Sequence, residues 1–186
     1  LMTGISGQQN WGLASPANIL NYMTAHDDLV LADKLALAMP ASPVEERRAR
    51  VMQGIMILLT SQGIPFLHSG CEFLRSKNGN DNSHNGGDPV NAIDWSLLED
   101  HAMAHRWTRA LITIRKEHPV FRLGSYEEIR QRLRFHHSEK PGVLVFTIRG
   151  DGLAGESWKE VMIAINTSAT TPVSLDMPDG TWKIRL

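Results

Sequence analysis

Residues 17–28 read ANILNYMTAHDD, and the way this stretch is read decides the fold. Ile19, Leu20, Tyr22 and Met23 stand in near-continuous apolar register, which predicts a short strand buried on both faces, as in a parallel sheet. An imidazole and two carboxylates follow at once, His26, Asp27 and Asp28. In βα folds the C-terminal ends of the strands are where ligands meet the protein, so His26 and Asp27 occupy the place expected of a functional pair. The plainer reading of the same residues is a structural turn, with Asp28 capping a helix or facing solvent.

Working outward, residues 42–63, SPVEERRARVMQGIMILLTSQG, predict an amphipathic helix. Ser42 serves as N-cap, Pro43 as first helical residue and Glu45 as the far side of a capping box, while Val51, Met52, Ile55, Met56 and Leu59 form the apolar stripe and Gly63 ends it. IPFLHSG, residues 64–70, reads as a second short buried strand. After a long polar loop, residues 96–118 predict a second helix with Met103, Trp107, Ala110, Leu111 and Ile114 on one face. Beyond Pro119 the period becomes alternating. LRF (133–135), GVLVFTIRG (142–150), VMIAINTS (161–168), VSLDM (173–177) and WKIRL (182–186) predict an antiparallel β region from about Ser125 onward. Leu144, Phe146 and Ile148 would share one face, and Val161, Ile163 and Ile165 another.

Composition narrows the function classes. The 186 residues hold 42% hydrophobic and 21% charged side chains, a globular balance. Nineteen basic against twenty acidic groups leave a net charge of -1, so there is no field to gather phosphates or an anionic membrane face, which argues against nucleic-acid and membrane partners. Cys71 is alone and leaves the redox compartment undecided. The start, LMTGISGQQNWG, lacks a basic cluster and an apolar core, and the run Ile55 to Leu59 is far too short to span a bilayer. Any export signal is expected outside this chain, and cytoplasmic and secreted locations both stay open.

Residues 63–85, GIPFLHSGCEFLRSKNGNDNSHN, put His68 and Glu72 at and just past the second strand end, then a loop of amides with one carboxylate, Asp81, and one imidazole, His84. Neutral donors and acceptors of this kind suit hydroxyl-rich ligands, since a sugar hydroxyl both donates and accepts and is costly to leave unmatched. A plain Asn/Gly surface loop has the same composition. His101 and His105 have a metal-clamp spacing but no third ligand, and His136 and His137, adjacent in a strand, point to opposite faces.

NYMTAHDDLVLADKL (21–35), the 63–85 stretch, VNAIDW (90–95) and IRKEHPVFRLGSYEEIRQRLRF (114–135) together resemble one family, the type I pullulanases, debranching enzymes of the alpha-amylase superfamily of glycoside hydrolases. The resemblance runs from about Pro16 to Thr167, with four motifs agreeing in order and spacing. It implies an α/β plus all-β fold: the last strands and helices of a (β/α)8 TIM barrel over residues 1–120, then an antiparallel C-terminal β-sandwich over residues 121–186, incomplete. His26 and Asp27 would follow the seventh barrel strand, GIPFLHSGCEF would be the eighth strand and its exit, and Ile93 to Trp95 would lead into the final barrel helix. A whole barrel needs on the order of 250 residues, so the chain is expected to be a piece of a longer protein.

The family reaction is retaining cleavage of α-1,6-glucosidic branch points in pullulan, branched maltooligosaccharides and the limit dextrins of glycogen or starch. The resemblance makes Asp27 the transition-state stabiliser and His26 the residue that orients the sugar, with Asp28, Asp81, Asn82 and His84 as substrate contacts. The family's nucleophile and acid/base follow the fourth and fifth barrel strands, so the chain by itself is expected to be inactive and to need the N-terminal part of the same enzyme. No cofactor is required; calcium stays open, with no residue pattern indicating it. The chain departs from the family pattern at Asp28, where an Asn is usual, at Ala32, which replaces a Trp, and at His84, which replaces a Tyr. These departures bear on outer-subsite contacts and substrate preference. The alternatives are a related isoamylase, amylase or glucan transferase, and a non-catalytic α-glucan-binding or accessory fragment.

Overall fold

The computed structural model describes residues 1–7, 12, 14–168, 171–175 and 177–186. Its first half is built on a parallel pair. β1 (Leu20–Asn21) and β2 (Ile64–Pro65) align Leu20 with Ile64 and Asn21 with Pro65. The strand-helix-strand reading therefore holds, with strands of only two residues each. The double-sided burial does not. Ile19 and Asn21 face inward at 3% and 8% exposure, but Leu20 and Tyr22 are 52% and 59% exposed, and Ile64 and Phe66 beside them are open too. One face of this pair is turned into the molecule, and among the described residues nothing covers the other.

Between the strands lie α2 (Leu31–Ala38) and α3 (Val44–Thr60), preceded by the short N-terminal α1 (Met2–Ile5). The sequence reading did not single out α2, a run of strong helix formers of only eight residues. α3 starts one residue later than expected: Pro43 holds the N-cap position in extended conformation, and no side chain caps the helix, so the Ser42–Glu45 capping box does not form. Glu45 and Glu46 still oppose the helix dipole from the first turn. α3 ends at Thr60, and Gly63, at φ +90°, makes the turn into β2 where a Cβ would press on the Ile19 carbonyl at 3.2 Å.

After the loop come α4 (Asp88–Asn91), α5 (Leu97–Asp100) and α6 (Ala102–Glu117). The single helix expected over residues 96–118 is broken at His101, whose backbone leaves the helical region. The buried stripe of α6 is Ala104, Thr108, Leu111 and Arg115, so Met103, expected on it, lies outside at 68% exposure. Arg115 donates to the carbonyls of Leu59 and Ser61 at 2.9 and 2.7 Å and to that of Gly63 at 2.7 Å. One guanidinium thus satisfies the orphan carbonyls at the end of α3 and locks α6 against the turn into β2. Burial, then the nearby charge of Arg122, lowers its pKa to about 10, which still leaves it charged at neutral pH.

The β region begins with a helix, contrary to expectation. α7 (Tyr126–Arg132) is capped by Ser125, whose hydroxyl accepts from Glu128 N. Then β3 (Leu133–His136), β4 (Val143–Arg149) and β5 (Glu160–Asn166) form one antiparallel sheet in the order β3-β4-β5. Leu144 lies opposite Ile165, Phe146 opposite Ile163 and Ile148 opposite Val161, so the two apolar sets expected on separate faces form a single face. That face packs on Ile5, Val120, Phe121, Leu123 and Ile129. Among the described residues there is no second sheet to complete a sandwich, and the runs at 173–177 and 182–186 are not strands; Asp176 lies outside the described residues. Alternation shows which side chains would share a face but supplies no partner strand, and Ile184 stays 96% exposed.

Among the connections that join the halves, two are buried. Gln62, with no exposed surface, donates to Val120 O at 2.8 Å and accepts from Leu123 N at 3.0 Å. At the far end of α6, His118 Nδ1 lies 2.7 Å from Glu156 Oε1, and the imidazole stacks on Trp158 with centroids 3.4 Å apart. The Glu156 side chain is fully covered and also accepts from the backbone N–H groups of Val120, Ser157 and Trp158. Burial alone would push its carboxyl up; the Trp158 N–H, the His118 ring and the Val120 N–H outweigh that and hold it below the ordinary glutamate value. The stability this group contributes is therefore complete above the unfolded value of 4.5 and is lost as pH falls through the lowered folded value. In melting curves from neutral to acid pH, Glu156→Gln should lower Tm at neutral pH, with the gap to wild type closing below that window. A gap independent of pH would show that the carboxylate charge does not contribute.

Candidate functional site

Both strands of the parallel pair end on the same side, and each hands over to a polar loop. After β1 the chain passes Thr24, which is buried and 3.8 Å from the Cys71 sulfur, and emerges at His26 and Asp27. Their side chains are 85% and 86% exposed, with His26 Nε2 3.6 Å from Asp27 Oδ1. Exposure of that order leaves the pair little worth as a stabilising ion pair and leaves both groups available to a ligand. Asp28 turns the chain at φ 59°, a left-handed conformation that Asp and Asn tolerate best after glycine. Its side chain is exposed as well.

The loop after β2 is rich in polar groups yet firmly held. Asp33, in the first turn of α2 and buried, accepts from Ser76 Oγ at 2.5 Å, Lys77 N at 2.8 Å and Gly79 N at 3.1 Å. Lys77 is buried in turn, and its Nζ donates to Ser83 Oγ at 2.6 Å and reaches His26 O at 3.4 Å. Asn91 Nδ2 donates to Ser83 O at 2.6 Å, and Arg75, also buried, donates to Ser69 O at 3.3 Å and to Asn91 O. Gly70, at φ +93°, must be glycine, because a Cβ there would lie 2.6 Å from the Arg75 side chain. On this frame Asp81, Asn82 and His84 are exposed, and Asn82 Oδ1 lies 2.9 Å from His84 Nδ1, which fixes the imidazole beside the amide.

The six residues singled out from the sequence thus fall on two loops at one end of the strand pair, and the Lys77 ammonium touches both loops. No contact joins Asp27 directly to Asp81, Asn82 or His84 among the described residues. Sequence reasoning passed over Asp33, Lys77 and Arg75. The acid at the start of α2 reads as a dipole partner, and its actual donors lie more than forty residues away. His68, noted at the strand end, proves half-buried with Nδ1 covered and without a partner. Burial first, then the charges of Arg75, Lys77 and His26, lower its pKa, opposed by Glu72, so it is neutral at neutral pH. Burial raises the Cys71 thiol, which favours its protonated form. Among the described residues no cluster of His, Cys, Asp and Glu is arranged to hold a metal, His101 and His105 included.

A family model for the C-terminal region of pullulanase-type alpha-1,6-glucosidases matches residues 96–182. The pullulanase of Bacillus subtilis (strain 168) is 36% identical over 138 residues, covering 72% of this chain and 19% of that protein. Apo pullulanase from Paenibacillus barengoltzii superposes with a TM-score of 0.91 at 38% identity, over 100% of this chain and 29% of its own. A variant of the same enzyme complexed with maltotetraose gives a TM-score of 0.87 at 37% identity, over 95% of this chain and 28% of its own. The chain therefore spans less than a third of the length of these relatives.

Removal of Asp33 tests whether the loop frame hangs on its carboxylate. Asp33→Ala strips three donors of their acceptor and should lower the local opening free energy of residues 76–79 by about 2 kcal/mol or more. Hydrogen exchange at the amides of Lys77 and Gly79 measures it; unchanged protection there would place the anchor elsewhere.

Proposed function

Since this chain belongs to the type I pullulanase family, as a C-terminal portion of it, we propose that it supplies part of the active site of a retaining α-glucan debranching hydrolase. In this reading residues 1–120 are the seventh and eighth βα units of a TIM barrel, and residues 121–186 belong to the β domain that follows. The open apolar face of β1 and β2, formed by Leu20, Tyr22, Ile64 and Phe66, supports it. A barrel interior is filled by the side chains of its own strands, and the rest of the same enzyme would cover this face. The substrate is an α-1,6-branched glucan such as pullulan or a branched maltooligosaccharide; the maltotetraose held by the Paenibacillus relative is a linear α-glucan of the kind that makes up the branches of such a substrate.

The observation that carries the assignment is the solvent-open Asp27, set by a buried scaffold at the end of a parallel strand. In retaining glycoside hydrolysis one carboxylate attacks the anomeric carbon and another group protonates the departing oxygen, then takes the proton back from water. A further carboxylate that accepts hydrogen bonds from the ring hydroxyls gains strength as the ring flattens and becomes positive, and that differential contributes several kcal/mol at the transition state. Asp27 is this third group. His26, beside it, donates to the same sugar and fixes its orientation. Asp28, Asp81, Asn82 and His84 meet neighbouring glucose units, the His84–Asn82 pair presenting a fixed ring edge and amide. The nucleophile and acid/base come from the remainder of the enzyme, so the isolated chain hydrolyses nothing.

In the full-length enzyme Asp27→Asn should lower kcat on pullulan by about a hundredfold or more while substrate binding survives, since the swap keeps shape and removes charge. Near-normal turnover would end the role assigned to Asp27. Products separate the rival reactions. Maltotriose from pullulan with α-1,4 bonds intact supports debranching of this type, whereas cleavage of α-1,4 bonds, or glucan affinity without turnover, would favour an amylase-like or an accessory function.

A further inference from the structure

The geometry points to Lys77 as a positioning residue for the catalytic turn, a role that rests on the function proposed for Asp27. Lys77 is 4% exposed, and no carboxylate lies within ion-pairing distance of its Nζ among the described residues. A buried ammonium without a counterion is costly, and a side chain needed only to tie two loops together could do so more cheaply as an amide or an apolar group. The charge has a different target. The Lys77 main chain is fixed by Asp33, its Nζ is anchored 2.6 Å from Ser83 Oγ, and the remaining reach of the ammonium ends at His26 O, 3.4 Å away. The His26 carbonyl belongs to the peptide that carries Asp27. Because the Asp27 side chain is 86% exposed and, among the described residues, only the His26 imidazole lies within ion-pairing distance of it, at 3.6 Å, its place relative to a sugar is set by the backbone of this turn.

Lys77 therefore acts through Asp27. It holds the turn at the depth where the carboxylate meets the ring and links that depth to the Asp81–His84 loop through Ser83. Loss of the ammonium should let the turn relax, and a displacement of about 1 Å can cost up to about a hundredfold in rate. Since Asp27 works chiefly in the transition state, the loss should appear in kcat more than in KM.

The test is a double-mutant cycle in the full-length enzyme on pullulan, with kcat normalised to active sites titrated by a mechanism-based covalent inhibitor. Lys77→Met should lower kcat about tenfold or more with KM changed less than about threefold, and in the Asp27→Asn background the same change should cost less than about twofold. Lys77→Gln, neutral but able to keep the Ser83 bond and too short to reach His26, should show the same loss, and it decides the matter if the Met variant fails to fold. Equal losses from Lys77 substitution in both backgrounds, or kcat within twofold of wild type per active site, would overturn the inference and leave Lys77 a scaffold residue. If Asp27→Asn alone retains turnover, it is the underlying functional reading that fails.

Discussion

The buried carboxylate of Asp33 is the constraint on which the site depends. Three donors from residues 76–79 converge on it, and those three bonds set the path of a loop whose composition would otherwise leave it free to wander. Once Lys77 N is fixed, the lysine side chain can run inward to Ser83 and His26, so one carboxylate organises both loops at the strand ends. The cost of burying the carboxylate is offset by filling its lone pairs, which is why it belongs at the base of the site and not on its surface.

The rest of the molecule supplies the rigid floor. α3 and α6 pack on one core centred on Val51, Ile55, Leu59 and Leu111, while the three-stranded sheet packs on a second centred on Phe121 and Phe146; Met56 touches both. Arg115 donates to the carbonyls of the turn from α3 into β2, and Gln62 within that turn bonds the backbone of Val120 and Leu123, so the turn cannot shift without breaking bonds on both sides of Pro119. Position is thereby transmitted from the cores to the strand ends. The exposed side chains of Asp27, Asp81, Asn82 and His84 are mounted on this floor and do not contribute to holding it together.

What was legible in the sequence followed from periodicity. The apolar stripe of α3 announced that helix, the alternation of GVLVFTIRG and VMIAINTS announced β4 and β5, and the switch between the two patterns located the passage to the sheet. Local chemistry was less reliable. Pro43 displaced Ser42 from the cap, His101 broke a helix that propensity would have continued, and α7 formed where alternation suggested strand because Ser125 caps it. The exposed members of the candidate site stand out in the sequence because His-Asp at a strand end and an amide-rich loop are visible in one dimension; what the structure adds is their placement on two loops at one end of the strand pair. Asp33, Lys77 and Arg75 could not, since each acts through a contact made only by folding. The burial expected on both faces of β1 failed for a related reason: periodicity tells which residues seek cover, and only a neighbour provides it.

The most direct test is a crystal structure of the full-length enzyme with a branched maltooligosaccharide bound across the catalytic centre. The account expects the Asp27 carboxylate within hydrogen-bond distance of the ring hydroxyls of the glucose at the scissile α-1,6 bond, with Lys77 Nζ still on the His26 carbonyl beneath it. An Asp27 turned away from the sugar, or a glucan bound without touching the loop after β1, would contradict it.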